Sequence, residues 1–322
     1  MKQLKEILIL TDNKISSKNQ CLGIVNALMK ELKRQINFET YNVDLGFSNK
    51  MPNFFIYLLL KVGLININLK SFKLKPQLIV SCGRVTAPLN LFLKKKFRSI
   101  SMHIMNPYFL LNNFDIILYP THDKKIHKHN IIEISGSIVN EKNLDLSRKE
   151  KNFFSNLLQI PSKKKIVSIL VGGNSKKKYS ELDIKCFVNL LKKIDAEKFY
   201  LCFLFSRRTP ISMKNKIYDE FEEKAYIWDD TKFNPYSFLI KNSDCFVVTA
   251  DSISMTSEAL ISEKPVYIFL PKNLKSKINN FQNYLLNKNY TMKFSGEIRT
   301  FRKKIKLNDK IAKKILSKIS LV

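Results

Sequence analysis

The chain has 322 residues, 45% of them hydrophobic; that is about twice a typical domain and apolar enough to close a core in each of two halves, which excludes intrinsic disorder. Its formal net charge is +29, carried mostly by lysines scattered among many Asn and Ile residues, the bias of an AT-rich genome. No nucleic-acid partner is expected; a field this positive suits anionic lipid head groups or phosphorylated ligands, with uninformative lysine drift as the alternative.

In chain order, residues 6–10 read as a buried strand, followed by the polar turn Thr11-Asp12-Asn13-Lys14 and a helix over about 20–35. Residues 53–64 (NFFIYLLLKVGL) carry two adjacent Phe, a Tyr and several Leu. They suit either a core helix or an apolar helix that dips into a membrane surface. A second strand over 78–81 ends at Cys82-Gly83-Arg84, and a helix over 87–95 follows. Further strands are expected at 99–104, 115–119 and 131–134, the last stopping at Ser135-Gly136. A charged stretch over 144–165 containing Pro161 marks the break between an N-terminal domain, 1–160, and a C-terminal domain, 161–322.

The second half repeats the plan. A strand over 166–170 ends in Gly172-Gly173, a helix spans 180–194, and a strand over 200–205 ends in Ser206-Arg207-Arg208. The strand 245–248, a helix starting near Ser254, the strand 266–269 and a lysine-rich amphipathic helix from about 308 complete it. Strand, turn and helix in series predict an α/β fold of two Rossmann-like domains, with parallel sheets and right-handed crossovers facing a cleft.

The five cysteines, Cys21, Cys82, Cys186, Cys202 and Cys245, are odd in number and show no metal-ligand spacing, so neither a metal site nor a disulfide framework is expected. The apolar run of MKQLKEILIL is too short for a signal peptide. The longest apolar stretch, 54–69, is interrupted by Lys61 and Asn66 and falls short of the roughly 20 residues of a spanning helix. A cytoplasmic protein is expected.

In open parallel sheets ligands bind beyond the carboxyl ends of the strands, where helix N-termini present free N–H groups. The scarce residue types of this chain gather at such ends. Of only eight arginines, Arg84, Arg207 and Arg208 sit there, and of eight glycines, Gly83, Gly136, Gly172 and Gly173. Thr249-Ala250-Asp251-Ser252-Ile253-Ser254 leads from a buried strand into a helix. Ser252 and Ser254 there suit a diphosphate, and Glu258, about a turn further in, suits ribose hydroxyls; an ordinary N-cap with a dipole-stabilising Glu is the plainer alternative.

Ser206, Arg207 and Arg208, closed by Thr209-Pro210, suit phosphate capture, with a solvated basic turn as the plainer alternative. Gly172 and Gly173 precede Asn174-Ser175 without the Lys-Ser/Thr of a P-loop, and a tight strand-to-helix turn explains them equally well. On the N-terminal rim Asp12 is the candidate base for an acceptor hydroxyl, and an ordinary turn-forming Asp explains it equally well. Lys14, Gln20, Gly83, Arg84, Asn106 and His122 mark the acceptor side.

The segments TDNKISSKNQCLG at 11–23, SCGRVTAP at 81–88, HIMNP at 103–107, YPTHD at 119–123, VGG at 171–173, FSRRTP at 205–210, NPY at 234–236, VTADSISMTSEA at 248–259 and KPVYIF at 264–269 together resemble the Elm-type mitochondrial-fission family, whose bacterial members carry a glycosyltransferase description. The resemblance implies the GT-B class, with the nucleotide-sugar donor in the C-terminal domain and no required metal. Residues 249–269 are similar to the donor-binding segment of the lipid-linked N-acetylglucosaminyltransferase of peptidoglycan synthesis, which gives Glu258 the donor ribose. The chain departs from the family where Asn13, Ser16 or Ser17, and Ser262-Glu263 replace glycines.

The expectation is a metal-independent glycosyltransferase that uses a nucleotide-sugar, UDP-linked, as substrate and needs no cofactor. It would act at the inner face of the cytoplasmic membrane on a lipid or lipopolysaccharide-type acceptor. A non-catalytic membrane-associated scaffold of the fission-protein type and a nucleotide-sugar epimerase are the alternatives.

Overall fold

A computed structural model describes residues 4–123, 126–173, 179–228, 230, 233–299, 307, 308 and 310–320. The chain divides into two units, 1–142 with 308–322, and 143–307.

The first unit opens with β1 (Glu6–Thr11), α1 (Ile15–Leu32), β2 (Asn37–Asn42) and α2 (Asn53–Lys61). It continues through β3 (Leu78–Cys82), α3 (Thr86–Phe97), β4 (Ile100–Ile104), β5 (Ile116–Pro120) and β6 (Ile131–Ile134). The six strands form one parallel sheet in the order β2-β1-β3-β4-β5-β6. Ile7 to Leu10 are buried on both faces, as a central parallel strand covered by helices requires. One face packs Ile24, Val25 and Leu28 of α1 on Ile7, Ile9 and Val80; the other packs Ile56 and Leu60 of α2 and Leu89 of α3 on Leu8, Leu10 and Ile79.

The second unit runs α4 (Arg148–Leu158), β7 (Lys165–Val171), α5 (Glu181–Leu191), β8 (Phe199–Phe205), α6 (Ile211–Phe221) and β9 (Tyr226–Ile227). Then follow α7 (Tyr236–Asn242), β10 (Cys245–Thr249), α8 (Ile253–Ile261), β11 (Val266–Phe269), α9 (Ser276–Asn287) and β12 (Met292–Lys293). Its parallel sheet has the order β12-β11-β10-β7-β8-β9. Both outer strands are two residues long, which limits the unpaired edge each exposes.

The last helix, α10 (Ile311–Ile319), differs from the expected domain limits. Its apolar face buries Ile311, Ala312 and Ile315 in the core of the first unit beside α1, and Asn308 exchanges hydrogen bonds with the Ser135 backbone at 2.8 and 3.0 Å. The stretch expected to separate the halves instead contains α4. Its N-terminus is closed by a reciprocal Ser147–Glu150 capping box, and Phe154 on it packs against Phe238 of α7. The break therefore lies at 142/143 rather than near 160. Helix α1 starts at Ile15 rather than 20, because Lys14 provides no side-chain cap and so leaves no mark in the sequence.

Candidate functional site

In each sheet the chain leaves its first strand in one direction and later strands add on the other side, so the crevice of the fold lies beyond the carboxyl ends of β1 and β3 and of β7 and β10.

At the first crevice Asp12 follows β1 and Gly83 follows β3. Gly83 adopts φ +109°, and a Cβ there would stand 2.5 Å from the Asp12 carboxyl carbon, so both conformation and space demand glycine. The Asp12 side chain is 7% exposed and ion-pairs through Oδ2 with Lys14. Its Oδ1 accepts no hydrogen bond among the described residues. Gln20, buried on α1, donates to the Cys82 sulfur at 3.7 Å.

Below this rim lies a polar network that the sequence reading missed. His103 on β4 is buried, with Nδ1 2.8 Å from the Ser81 hydroxyl. Asn90 of α3 donates to that hydroxyl at 2.6 Å and to the Met102 carbonyl at 2.9 Å. Burial pushes the imidazole down to about 3, against an opposing pull from the Asp12 charge. His103 is thus a neutral strut under Asp12.

Arg84 stands apart from that group. Its guanidinium donates to the backbone carbonyls of Met51 (2.6 Å) and Asn49, while Asn53 donates back to the Arg84 carbonyl at 3.0 Å. It pins the segment before α2 to the end of β3. Asn106 follows β4, donating to the Tyr119 hydroxyl at 3.2 Å and accepting from the Tyr108 N–H at 2.8 Å. His122 is buried just beyond β5. Both therefore sit on the same strand-end rim, over strands other than those that carry Asp12.

At the second crevice the glycines serve close packing. The Gly172 N–H donates to Thr249 Oγ1 at 2.7 Å. A Cβ on Gly172 would lie 2.3 Å from Asp251 Oδ2, and one on Gly173 would lie 1.7 Å from the Arg208 carbonyl oxygen. This favours the tight-turn reading of the pair; Asn174 and Ser175 lie outside the described residues. Asp251 is buried and accepts from the Tyr179 hydroxyl through Oδ1, while Oδ2 has no partner among the described residues. Burial, then the Asp251 charge, raises the Tyr179 phenol, so it remains a donor.

Thr209 ties the 206–209 turn to β7, donating to the Val171 carbonyl at 2.8 Å and accepting from the Ser206 N–H at 2.9 Å. That turn holds Arg207 and Arg208 exposed. Ser252 caps α8, accepting from the Met255 N–H at 3.3 Å; Ser254 lies in the first turn of the helix. Gln282 of α9, fully buried, donates to the Ala250 carbonyl at 2.9 Å and to Thr256 Oγ1 at 3.1 Å, bracing the loop from below. Glu258 accepts from the Tyr236 hydroxyl. Burial raises the Glu258 carboxyl and the Tyr236 hydrogen bond opposes that rise; burial, then the Glu258 charge, raises Tyr236 itself.

Thr249, Asp251, Gly172 and Gly173 thus converge directly, with the Ser206–Arg208 turn against Gly173 and Ser252, Ser254 and Glu258 along the adjoining helix. Tyr179, Tyr236 and Gln282 complete the cluster, and only the NPY at 234–236 marked one of them in advance.

Two parallel doubly wound units with their polar groups at the switch points define a GT-B type α/β protein. The UDP-GlcNAc 2-epimerase of Methanocaldococcus jannaschii is similar over 99% of this chain and 100% of its own (TM-score 0.56, 14% identity). That of Neisseria meningitidis, bound to UDP-GlcNAc, is similar over 98% and 100% (TM-score 0.55, 13% identity). MurG of Acinetobacter baumannii is similar over 97% and 90% (TM-score 0.51, 9% identity).

The chain belongs to the mitochondrial fission ELM1 family, whose model matches residues 17–319. The Rickettsia prowazekii protein RP120 is 31% identical over 317 residues, 84% of each chain. The mitochondrial fission protein ELM1 of Arabidopsis thaliana is 24% identical over 262 residues, 73% of this chain and 61% of the plant protein.

Proposed function

We propose that this protein is a glycosyltransferase that moves a sugar from a UDP-linked donor to a lipid or lipopolysaccharide-type acceptor at the inner face of the cytoplasmic membrane. The observation that carries this reading is the β7/β10 crevice. There a helix N-terminus, two exposed arginines and a half-buried, tyrosine-anchored Glu258 lie about one strand-end loop. The names of the similar structures, two acting on UDP-GlcNAc, support a nucleotide-sugar ligand.

In this reading Glu258 accepts hydrogen bonds from the ribose hydroxyls. The α8 N-terminus with Ser252 and Ser254 binds the diphosphate, and Arg207 and Arg208 offset the charge that grows on it as it leaves. Asp12 takes the acceptor hydroxyl proton; the acceptor oxygen bonds to the anomeric carbon as that carbon's bond to the diphosphate breaks, and UDP departs with the electron pair. In this reading the exposed cations would balance that charge without a metal, so transfer should continue in chelator.

The test is transfer of label from sugar-labelled UDP-GlcNAc to a lipid extract. Transfer that survives EDTA and disappears in Asp12→Asn, with nucleotide binding intact, supports the proposal. Conversion of the sugar nucleotide with no acceptor present would replace it with the epimerase reading, which the likeness to two epimerases favours. Nucleotide binding with neither outcome would leave a scaffold.

A further inference from the structure

Helix α2 is apolar on all sides, a pattern normal for an enclosed helix, yet only half of it is enclosed. Asn53, Ile56, Tyr57 and Leu60 are buried against the sheet and α3. Phe54, Phe55, Leu58 and Val62, at helical spacing on the opposite side, are 45–61% exposed. Phe47 in the preceding turn is 94% exposed and Leu64 just beyond is 75% exposed. The outward phenylalanines, edge-to-face at 5.9 Å, are each left about half exposed, and a patch of this kind marks an interaction surface.

The charge pattern decides which partner. From residue 45 to 114 the sequence contains eight lysines, two arginines and no aspartate or glutamate. Lys50, Lys61 and Lys70, all exposed, flank the patch. The nearest acid by chain, Asp44, is engaged with the Gly46 N–H and the Asn49 amide. A second copy of this chain laid symmetrically on the face would set lysines against lysines with no acid to answer them. Aromatic and aliphatic side chains rimmed by cations match a bilayer rich in anionic lipid, where rings enter the boundary beneath the head groups and ammonium groups stay among the phosphates.

We propose that the outward face of α2, together with Phe47 and Leu64, is a docking surface for an anionic lipid bilayer. It goes beyond the glycosyl-transfer reading and does not rest on it, since binding is measured without nucleotide. Arg84 and Asn53 give the surface a fixed base by clamping the 49–53 segment to β3, so the patch is presented on folded structure.

The experiment is co-sedimentation with vesicles of phosphatidylcholine alone or mixed with phosphatidylglycerol. The expected result is binding to the mixed vesicles, weakened by salt. The combined variant Phe54→Ser, Phe55→Ser and Leu58→Ser should bind about tenfold or more weakly, by the apolar area it withdraws, with an unchanged melting temperature because these side chains face outward. A second variant, Phe55→Trp, should be quenched by lipids brominated in the acyl chain, to a degree that Trp228 in the native protein is not.

Equal binding of the triple variant and the native protein would overturn the proposal, as would absence of native binding to the mixed vesicles at low salt. A native protein that self-associates without lipid, and whose triple variant is monomeric, would make the face an interface between copies.

Discussion

His103 offers a sharp physical test of the first unit. The imidazole is fully buried, held at 2.8 Å from the Ser81 hydroxyl and tilted against Phe114 at 5.6 Å; burial takes it from 6.5 to about 3. The unfolded chain therefore binds one more proton than the folded chain between those values, and stability falls as pH drops through that window. From pH 7 to 5 a single such group costs about 2 kcal/mol, on a ceiling near 5 kcal/mol for the whole shift.

His103→Gln should lower stability at pH 7, since it disturbs the Ser81–Asn90 network, yet remove this part of the acid sensitivity. Hydrogen exchange of the β3 and β4 amides reads the first unit directly, and an NMR titration reads the ring itself. The reasoning is refuted if the His103 ring signals move with a midpoint near 6.5, or if native protein and variant lose protection in parallel between pH 7 and 5.

Gly173→Ala should destabilise the second unit by about 1–3 kcal/mol in urea unfolding, because its Cβ meets a backbone oxygen that moves only with the 206–209 turn. Tyr236→Phe should cost about 1–3 kcal/mol by stranding the Glu258 carboxylate and push that carboxyl further up, seen as nucleotide affinity that improves with rising pH over a higher range than in the native protein. Arg207→Ala and Arg208→Ala should each weaken diphosphate-containing ligands about tenfold in calorimetry while leaving the nucleoside unaffected. Arg84→Lys should leave nucleotide affinity unchanged but speed proteolysis within residues 45–53, because an ammonium cannot span the Asn49 and Met51 carbonyls as the guanidinium fork does.

Much of this architecture was legible where burial erases ambiguity. Runs such as Ile7–Leu10 and Cys245–Val248 are apolar on both faces and end in polar turns, which in a chain of this length means central parallel strands. β2, NFETYN, is half polar because it lies at an edge, and it carried no such signal. The amphipathic pattern of α10 was plain, but nothing local says that its apolar stripe closes the core over α1 rather than the sheet nearer in sequence.

The same limit applies to the sites. Scarcity flagged Gly83, Gly172 and Gly173, and the structure supplies the reason: carboxylates and a carbonyl fill the space a Cβ would need. Scarcity also flagged Arg84, whose fork grips its own backbone. Tyr179 meets Asp251 across 72 residues and Gln282 meets Ala250 across 32; pairs brought together only by strand order leave no pattern along the chain.

In the proposed reading the β7/β10 crevice holds a nucleotide through Glu258. That reading is tested most directly by a thermal-shift screen of UDP, GDP, CMP and their sugar conjugates against the native protein and Glu258→Ala. The expected result is a selective rise in melting temperature with UDP and its conjugates, equivalent to about 3 kcal/mol at a hundredfold excess over the dissociation constant, and its loss in the variant. A rise that persists in Glu258→Ala, or no rise with any nucleotide, would contradict it.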